Sequence, residues 1–284
     1  MNRVLVIGAK GMLGQDLIPV LRTFFPAMEI DGLDIDEIDI REEKETIAKI
    51  EALSPKVVIN LAAYIDVEGC ESDQRKAFAI NAEGMKHVAL GALGCGAKVV
   101  YLSTDYVFDG QKREPYLESD PPNPINVYGH SKLKGEQYVQ TLVKDGLIIR
   151  TQWLFGRYGN SFVSSILRQV KEKKGLSIVD DQIGSPTYTV DLSKAIAHLI
   201  QVNAQGVFHA VNGETCSWHT FGRAILRYSG IDGIEVNPIS SKELNQRACR
   251  PSYSALDNQK IQRVTGVILR PWSEALKEYL SSTL

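Results

Sequence analysis

The sequence predicts an α/β fold: a parallel sheet with helices on both faces, followed by a smaller C-terminal lobe. Short β-branched runs alternate with longer amphipathic ones through the N-terminal half. The strongest runs, "KVVINLAA" and "AKVVYLST", are almost continuously apolar, as strands buried on both faces must be. Glycines cluster directly after the first run, in "GAKGMLG".

The first strand is "RVLVIG", Arg3 to Gly8, and Met12 to Phe24 has helical length and spacing. A weaker strand, "EIDGLD", ends at Asp34. Glu42 to Leu53 then reads as a helix, Lys56 to Ala63 as a strand, Asp73 to Leu93 as a long helix, and Ala97 to Thr104 as a strand. A polar segment with four prolines, "REPYLESDPPNPIN" from Arg113 to Asn126, precedes a helix over Val127 to Val143. A loop of that length points to function. Gly146 to Thr151 is the next strand, and past residue 155 the regular alternation weakens. There "LSIVDDQIGSPTYTVDLSKAIAHLI" reads as strand, turn and helix, and "GVFHAVNGETCSWHTFGRAIL" repeats that plan. The expected division is a dinucleotide-binding domain over 1–150 and a smaller substrate-binding lobe over 151–284, interleaved with the core.

At 284 residues, 44% apolar and 23% charged, the chain has the balance of an ordinary globular protein. A net charge of -2 provides no basic field for nucleic acid or an anionic membrane, so an anionic ligand needs a local site. Cys70, Cys95, Cys216 and Cys249 form no C-x-x-C pair, which argues against a zinc site or disulfide framework and fits a reduced cytoplasm. No cleavage-type signal follows the first apolar run, and no apolar stretch reaches 18 residues. His87, His198, His209 and His219 lack metal-ligand spacing.

Gly8, Gly11 and Gly14 fall where the first strand turns into the first helix. Glycines there permit a tight turn, close approach of a diphosphate to backbone N–H groups, and close packing of helix on strand. That is a Rossmann-type arrangement, although the spacing is G-x-x-G-x-x-G. Asp34 lies 20 residues after Gly14, where a carboxylate can accept from a ribose 2'-OH and would repel a 2'-phosphate. NADH is therefore favoured over NADPH, unless Asp34 is one of the solvated turn acids of "DIDEID". Asp39 is better placed for the adenine amine.

In "VYGHSKLKGE", Tyr128 and Lys132 are four residues apart and share a helix face. Such a pair is often surface decoration. Here it follows a glycine loop and the "LSTDY" strand end, beyond which ligands bind in open α/β sheets, so Thr104 and Tyr128 should face one crevice. Hydride reduction of a ketone builds negative charge on oxygen and needs a proton donor. Tyrosine, at pKa ~10, is protonated but sluggish. An ammonium ~4 Å away at an effective dielectric of ~20 would stabilise the tyrosinate by about 4 kcal/mol, before desolvation of the lysine is subtracted. That would bring the acid nearer neutrality, with the Thr104 hydroxyl orienting the same oxygen.

With these residues, the chain resembles the extended short-chain dehydrogenase/reductases and, among them, the dTDP-4-dehydrorhamnose reductase family. The blocks "GAKGMLGQDL", "VVINLAAYIDVEGCE", "STDYVFDG", "NVYGHSKLKGE", "IIRTQWLFG", "DDQIGSPT" and "RPSYSALDNQKI" follow that family's order over almost the whole chain. The resemblance implies NAD(P)H-dependent reduction of the 4-keto group of dTDP-4-dehydro-L-rhamnose, giving dTDP-L-rhamnose for polysaccharide, by a monomer or homodimer. It implies that Tyr128 is the proton donor, Lys132 its tuner and a nicotinamide-ribose ligand, and Thr104 the substrate-oriented hydroxyl. Gly11, Met12 and Leu13 match the diphosphate loop, Asp34 the ribose position, Asp39 and Ile40 the adenine side, and Ala63, Tyr64 and Ile65 the third-strand cofactor contact. Asp105 and Trp153 match sugar-nucleotide contacts, and Arg250 a diphosphate ligand. Trp153 also reads as core packing, and Arg250 as a surface anchor.

Where the family reads close to "AAYTAVDKAE", this chain has "AAYIDVEGCE", so Ile65, Asp66, Glu68 and Gly69 leave the sugar open. Magnesium-mediated dimerisation, known for some members, is not carried over, because its acidic ligands find no match and Gln15 is neutral. Two alternatives stand beside the reductase. One is an epimerase or reductase of another nucleotide 4-ketosugar; a dehydratase is disfavoured because Tyr106, not glutamate, follows Asp105. The other is a non-catalytic dinucleotide-binding subunit, such as the β subunit of methionine adenosyltransferase, which resembles these reductases.

Overall fold

The structure is a computed structural model that describes residues 2–171 and 175–283. The first five strands are β1 (Arg3–Ile7), β2 (Glu29–Leu33), β3 (Val57–Asn60), β4 (Lys98–Thr104) and β5 (Leu147–Thr151). With an outer strand, Gly206–His209, they form a six-stranded sheet in the order outer strand, β5, β4, β3, β1, β2, every pair parallel. All carboxyl ends therefore meet at one edge, where an open α/β sheet binds ligands. This is the expected Rossmann-type fold.

The side-chain alternation of β1 shows how three layers form. Val4 and Val6 point into one core with Leu13, Leu17 and Leu21 of α1 (Met12–Phe24). Leu5 and Ile7 point into the other, with Ile50 of α2 (Glu43–Leu53) and Met85 and Val88 of a helix discussed below. Each residue step switches face, so a run buried on both sides must be apolar throughout. β2 is the polar exception because it is an edge strand.

The segment expected as one helix over Asp73 to Leu93 is broken. A short α3 (Val67–Ser72) ends at Asp73, whose carboxylate then caps α4 (Gln74–Phe78) by accepting from the Lys76 N–H at 3.0 Å. A π-helical turn, Ala79–Glu83, follows before α5 (Gly84–Cys95). The wider turn carries Asn81 inward, where it is 1% exposed. α6 (Val127–Leu142) packs beside it.

The rest of the chain contributes to both lobes. α7 (Phe162–Lys171) and α9 (Trp218–Tyr228) share a second core with Phe155, Tyr188, Trp272 and Tyr279. Three small strand pairs brace this lobe, among them Leu176–Val179 beside Val236–Ile239. Between α7 and α9, α8 (Thr189–Gln201) instead covers α1, placing Leu192, Ile196 and Leu199 in the core behind β1. Beneath α6 lies a buried ion pair: Arg150 of β5 donates to Glu136 from Nε at 2.9 Å and Nη2 at 2.7 Å, and Ser103 Oγ donates to the same carboxylate at 2.5 Å. Among the described residues no helix is long and apolar enough to cross a membrane.

Candidate active site

Along the carboxyl edge of the sheet runs a groove of about 520 Å³. Its floor is the β1–α1 turn. Gly8 has φ +86°, and a Cβ there would lie 2.8 Å from the Ala62 nitrogen; a Cβ at Gly14 would lie 2.5 Å from the Gly8 carbonyl oxygen. Both positions exclude any side chain, one for the turn and one for helix–strand contact. Gly11, the N-cap residue of α1, has no side chain to bond the first-turn N–H groups. Those donors fit a diphosphate. A nicotinamide dinucleotide therefore suits the residues present.

Gly8, Gly11, Met12, Leu13, Asp34, Asp39, Ile40, Ala63 and Ile65 all line this groove. Asp34 accepts from the Lys10 N–H at 2.8 Å and the Ile35 N–H at 2.9 Å, which fixes its carboxylate past the end of β2. Asp39 is held by Arg41, Nε to Oδ1 at 2.9 Å, and this pairing keeps its carboxyl below the usual range. The Ile40 carbonyl receives His87 Nδ1 at 2.8 Å. Tyr64 differs from its neighbours: its ring lies under the Lys76 ammonium, 4.3 Å away, outside the groove lining, while its backbone is bonded on both sides by Asn81.

At the inner end, Leu102 joins the groove lining, and its carbonyl accepts from Lys132 Nζ at 2.7 Å. α6 brings Tyr128 and Lys132 there through two tight approaches. Asn126 caps the helix, accepting from the Gly129 N–H at 2.8 Å. A Cβ on Gly129 would lie 2.1 Å from the Tyr106 carbonyl oxygen, and one on Gly135 would lie 2.4 Å from the Tyr101 hydroxyl. Tyr128 thereby meets Tyr106 edge to face, with ring centroids 5.7 Å apart. Thr104, ending β4, donates to Asp105 Oδ1 at 3.0 Å and accepts from the Tyr106 N–H at 3.2 Å.

The surroundings of the acid act on it in both directions. Burial pushes the Tyr128 phenol up, the Thr104 hydroxyl pulls it down, and Asp105 and Tyr106 push it further up. Lys132 Nζ donates to the Leu102 carbonyl and rests 4.1 Å over the Tyr101 ring. Burial pushes Lys132 itself down to about 7, against the opposing charge of Glu136. Asp105 is raised to about 7 by burial, opposed by Ser254 and Thr104, and its Oδ2 is buried with no partner among the described residues.

On the far side of Tyr106 lies a second cavity of about 250 Å³, lined also by Arg250, Gln182, Gln246 and Trp218. Trp153, half-buried, stacks on Trp218 with centroids 3.6 Å apart and holds φ at +48°, a strained value for a bulky residue. Thr104 and Asp105 directly precede Tyr106, which lines this cavity, and the Tyr128 ring packs on it, while Lys132 reaches the groove through Leu102.

Asn81 was not singled out from sequence. Besides Tyr64 it bonds Ser131 Oγ at 2.9 Å, and that hydroxyl donates to the Tyr128 carbonyl at 2.8 Å. One amide therefore ties the loop after β3 to the start of α6. A polar residue inside an otherwise helical apolar run was the available signal.

Relatives share this fold over the whole chain. Residues 1–284 match the family model described as the RmlD substrate binding domain. A dTDP-4-dehydrorhamnose reductase structure from Clostridium acetobutylicum is 39% identical with a TM-score of 0.95, covering 99% of each chain. One from Bacillus anthracis, in complex with NADP, is 38% identical with a TM-score of 0.95 and covers 100% of both chains. The spore coat polysaccharide biosynthesis protein SpsK of Bacillus subtilis is 38% identical over 280 residues, 99% of this chain and 97% of its own. The chain belongs to the dTDP-4-dehydrorhamnose reductase family.

Proposed function

We propose that this protein reduces the 4-keto group of dTDP-4-dehydro-L-rhamnose with NADH or NADPH, in the cytoplasm, yielding dTDP-L-rhamnose for polysaccharide. The observation that supports this is the packing of Tyr128 on Tyr106, which lines a cavity shared with Arg250, together with the bond from Lys132 to Leu102 of the dinucleotide-shaped groove. In this reading residues 1–150 carry the cofactor and 151–284 the sugar nucleotide, as a monomer or homodimer.

The bound dinucleotide supplies the hydride. Tyr128 donates its phenolic proton to the carbonyl oxygen, and the upward push on that phenol keeps it protonated at working pH. Lys132, held by Leu102 beneath the site, stabilises the tyrosinate as charge develops and would be the residue to hold the nicotinamide ribose of a bound dinucleotide. Thr104 turns its one hydroxyl proton from Asp105 to the carbonyl oxygen and so holds that oxygen against the acid, while the Tyr106 N–H continues to donate to the Thr104 hydroxyl. Asp105, Trp153 and Arg250 bind the sugar nucleotide. The test is NADH or NADPH oxidation by purified protein across several dTDP-4-ketosugars, with product identification. Turnover should be greatest with dTDP-4-dehydro-L-rhamnose, and no turnover with any of them would end this reading.

For the cofactor, the fixed carboxylate of Asp34 favours NADH. Asp34→Ala should raise kcat/KM for NADPH relative to NADH by about tenfold, equivalent to ~1.4 kcal/mol. An unchanged ratio would remove Asp34 from the ribose site.

A further inference from the structure

The segment that departs from the family pattern, Ile65 to Gly69, builds a mount for Arg250. Asp66 caps α3 by accepting from the Gly69 N–H at 2.9 Å. Gly69 itself leaves room for the Tyr64 hydroxyl, from which a Cβ would be 2.0 Å away. This places Glu68 against a stretch of chain 182 residues distant: its Oε1 accepts from Arg250 Nη1 at 2.6 Å. Its Oε2 accepts from the Arg247 N–H at 2.8 Å and the Ala248 N–H at 3.5 Å. Burial pushes the Glu68 carboxyl up, but the Arg250 bond and these N–H groups outweigh it and hold it below the usual range, so it stays ionised.

The geometry at the guanidinium is one-sided. Glu68, Gln246 Oε1 at 2.7 Å and the Ala248 carbonyl at 3.3 Å all take Nη1. Among the described residues Nε and Nη2 are taken by none of these acceptors, and the guanidinium lies within reach of the Tyr106 phenol, which burial pushes up and Arg250 pulls part of the way back. Arg250 faces the cavity beside Tyr106 and Trp218. An arginine anchored through one nitrogen presents its remaining N–H groups as a fixed fork, the geometry that takes two phosphate oxygens at once.

We propose that Glu68 is a positioning residue for the sugar nucleotide, fixing Arg250 so that its remaining N–H groups, beside Tyr106, meet the diphosphate. This rests on the reading of Arg250 as the diphosphate ligand. It also makes α3, next to the cofactor-lining Ile65, part of the substrate site.

Calorimetric titration of the full-length protein with thymidine diphosphate, and separately with NADH, tests it in Glu68→Ala, Arg250→Ala and the double variant. Glu68→Gln, which keeps an acceptor for the Arg247 and Ala248 N–H groups, is measured beside them to separate charge from shape. The expected result is about tenfold weaker thymidine diphosphate binding for Glu68→Ala and a loss in the same direction for Glu68→Gln, with NADH affinity within about twofold. In the Arg250→Ala background, removing Glu68 should add nothing further. An equal further loss there would make Glu68 a strap for residues 246–250 and overturn the proposal, as would unchanged binding in Glu68→Ala. If Arg250→Ala alone left thymidine diphosphate binding intact, the diphosphate reading would fail first, a result distinct from the other two.

Discussion

Tyr128→Phe is expected to lower kcat for ketosugar reduction by about 10²–10⁴, the range spanned by loss of a general acid. The variant should fold and bind NADH within about threefold of the parent. Phenylalanine keeps the ring that meets Tyr106 edge to face, and Asn126 still caps α6. Single-turnover kinetics with prebound cofactor measure the loss directly, free of product release. A rate within tenfold of the parent would mean that another group delivers the proton. Burial pushes the phenol further above neutrality than an ordinary tyrosine, so the acid carries its proton at neutral pH. The difficulty lies in stabilising the anion left behind, and that is the work assigned to Lys132 and to the bound cofactor's own charge.

Arg150→Met should destabilise the fold by about 3–5 kcal/mol, since it strands a buried carboxylate. Glu136 is 1% exposed and Arg150 2% exposed, so water cannot replace the lost guanidinium. Urea unfolding followed by tryptophan fluorescence reads this as a fall in midpoint at constant slope. Adding Glu136→Leu should recover much of the loss, because an apolar pair of similar volume avoids the desolvation of both charges. A single-variant loss below about 1 kcal/mol would show that Ser103 and the surrounding dipoles suffice for Glu136.

Much of this molecule can be read from residues alone where the physics is local. β1, β3, β4 and β5 announce themselves because strands buried on both faces are built largely of apolar side chains, the one buried charge among them, Arg150, being paired with Glu136. The glycines of "GAKGMLG" are legible for the same reason, since close backbone approach leaves no room for a Cβ. The break within Asp73 to Leu93 was not legible, because a π-turn is set by where Asn81 must reach, to Tyr64 and Ser131 on other elements. "GVFH" could be read as a strand but not as the neighbour of β5, a pairing made across more than fifty residues. At the site, residue identities pointed to an acid and a lysine, while their mutual electrostatics depended on a backbone carbonyl, that of Leu102. Which nitrogen of Arg250 is taken, and by whom, also lies beyond sequence, because Glu68 is 182 residues away.

The outer strand Gly206–His209 and the helix α8 have a consequence for how such proteins change over evolutionary time. Both come from the half of the chain expected to hold the sugar, yet they complete the sheet and cover α1. Exchanging that half wholesale would leave β5 with an open edge and α1 with an uncovered apolar face. New sugar preferences in this architecture are therefore expected to arise by point changes at the site, such as the five residues from Ile65 to Gly69 that lead into α3, rather than by recombination of modules.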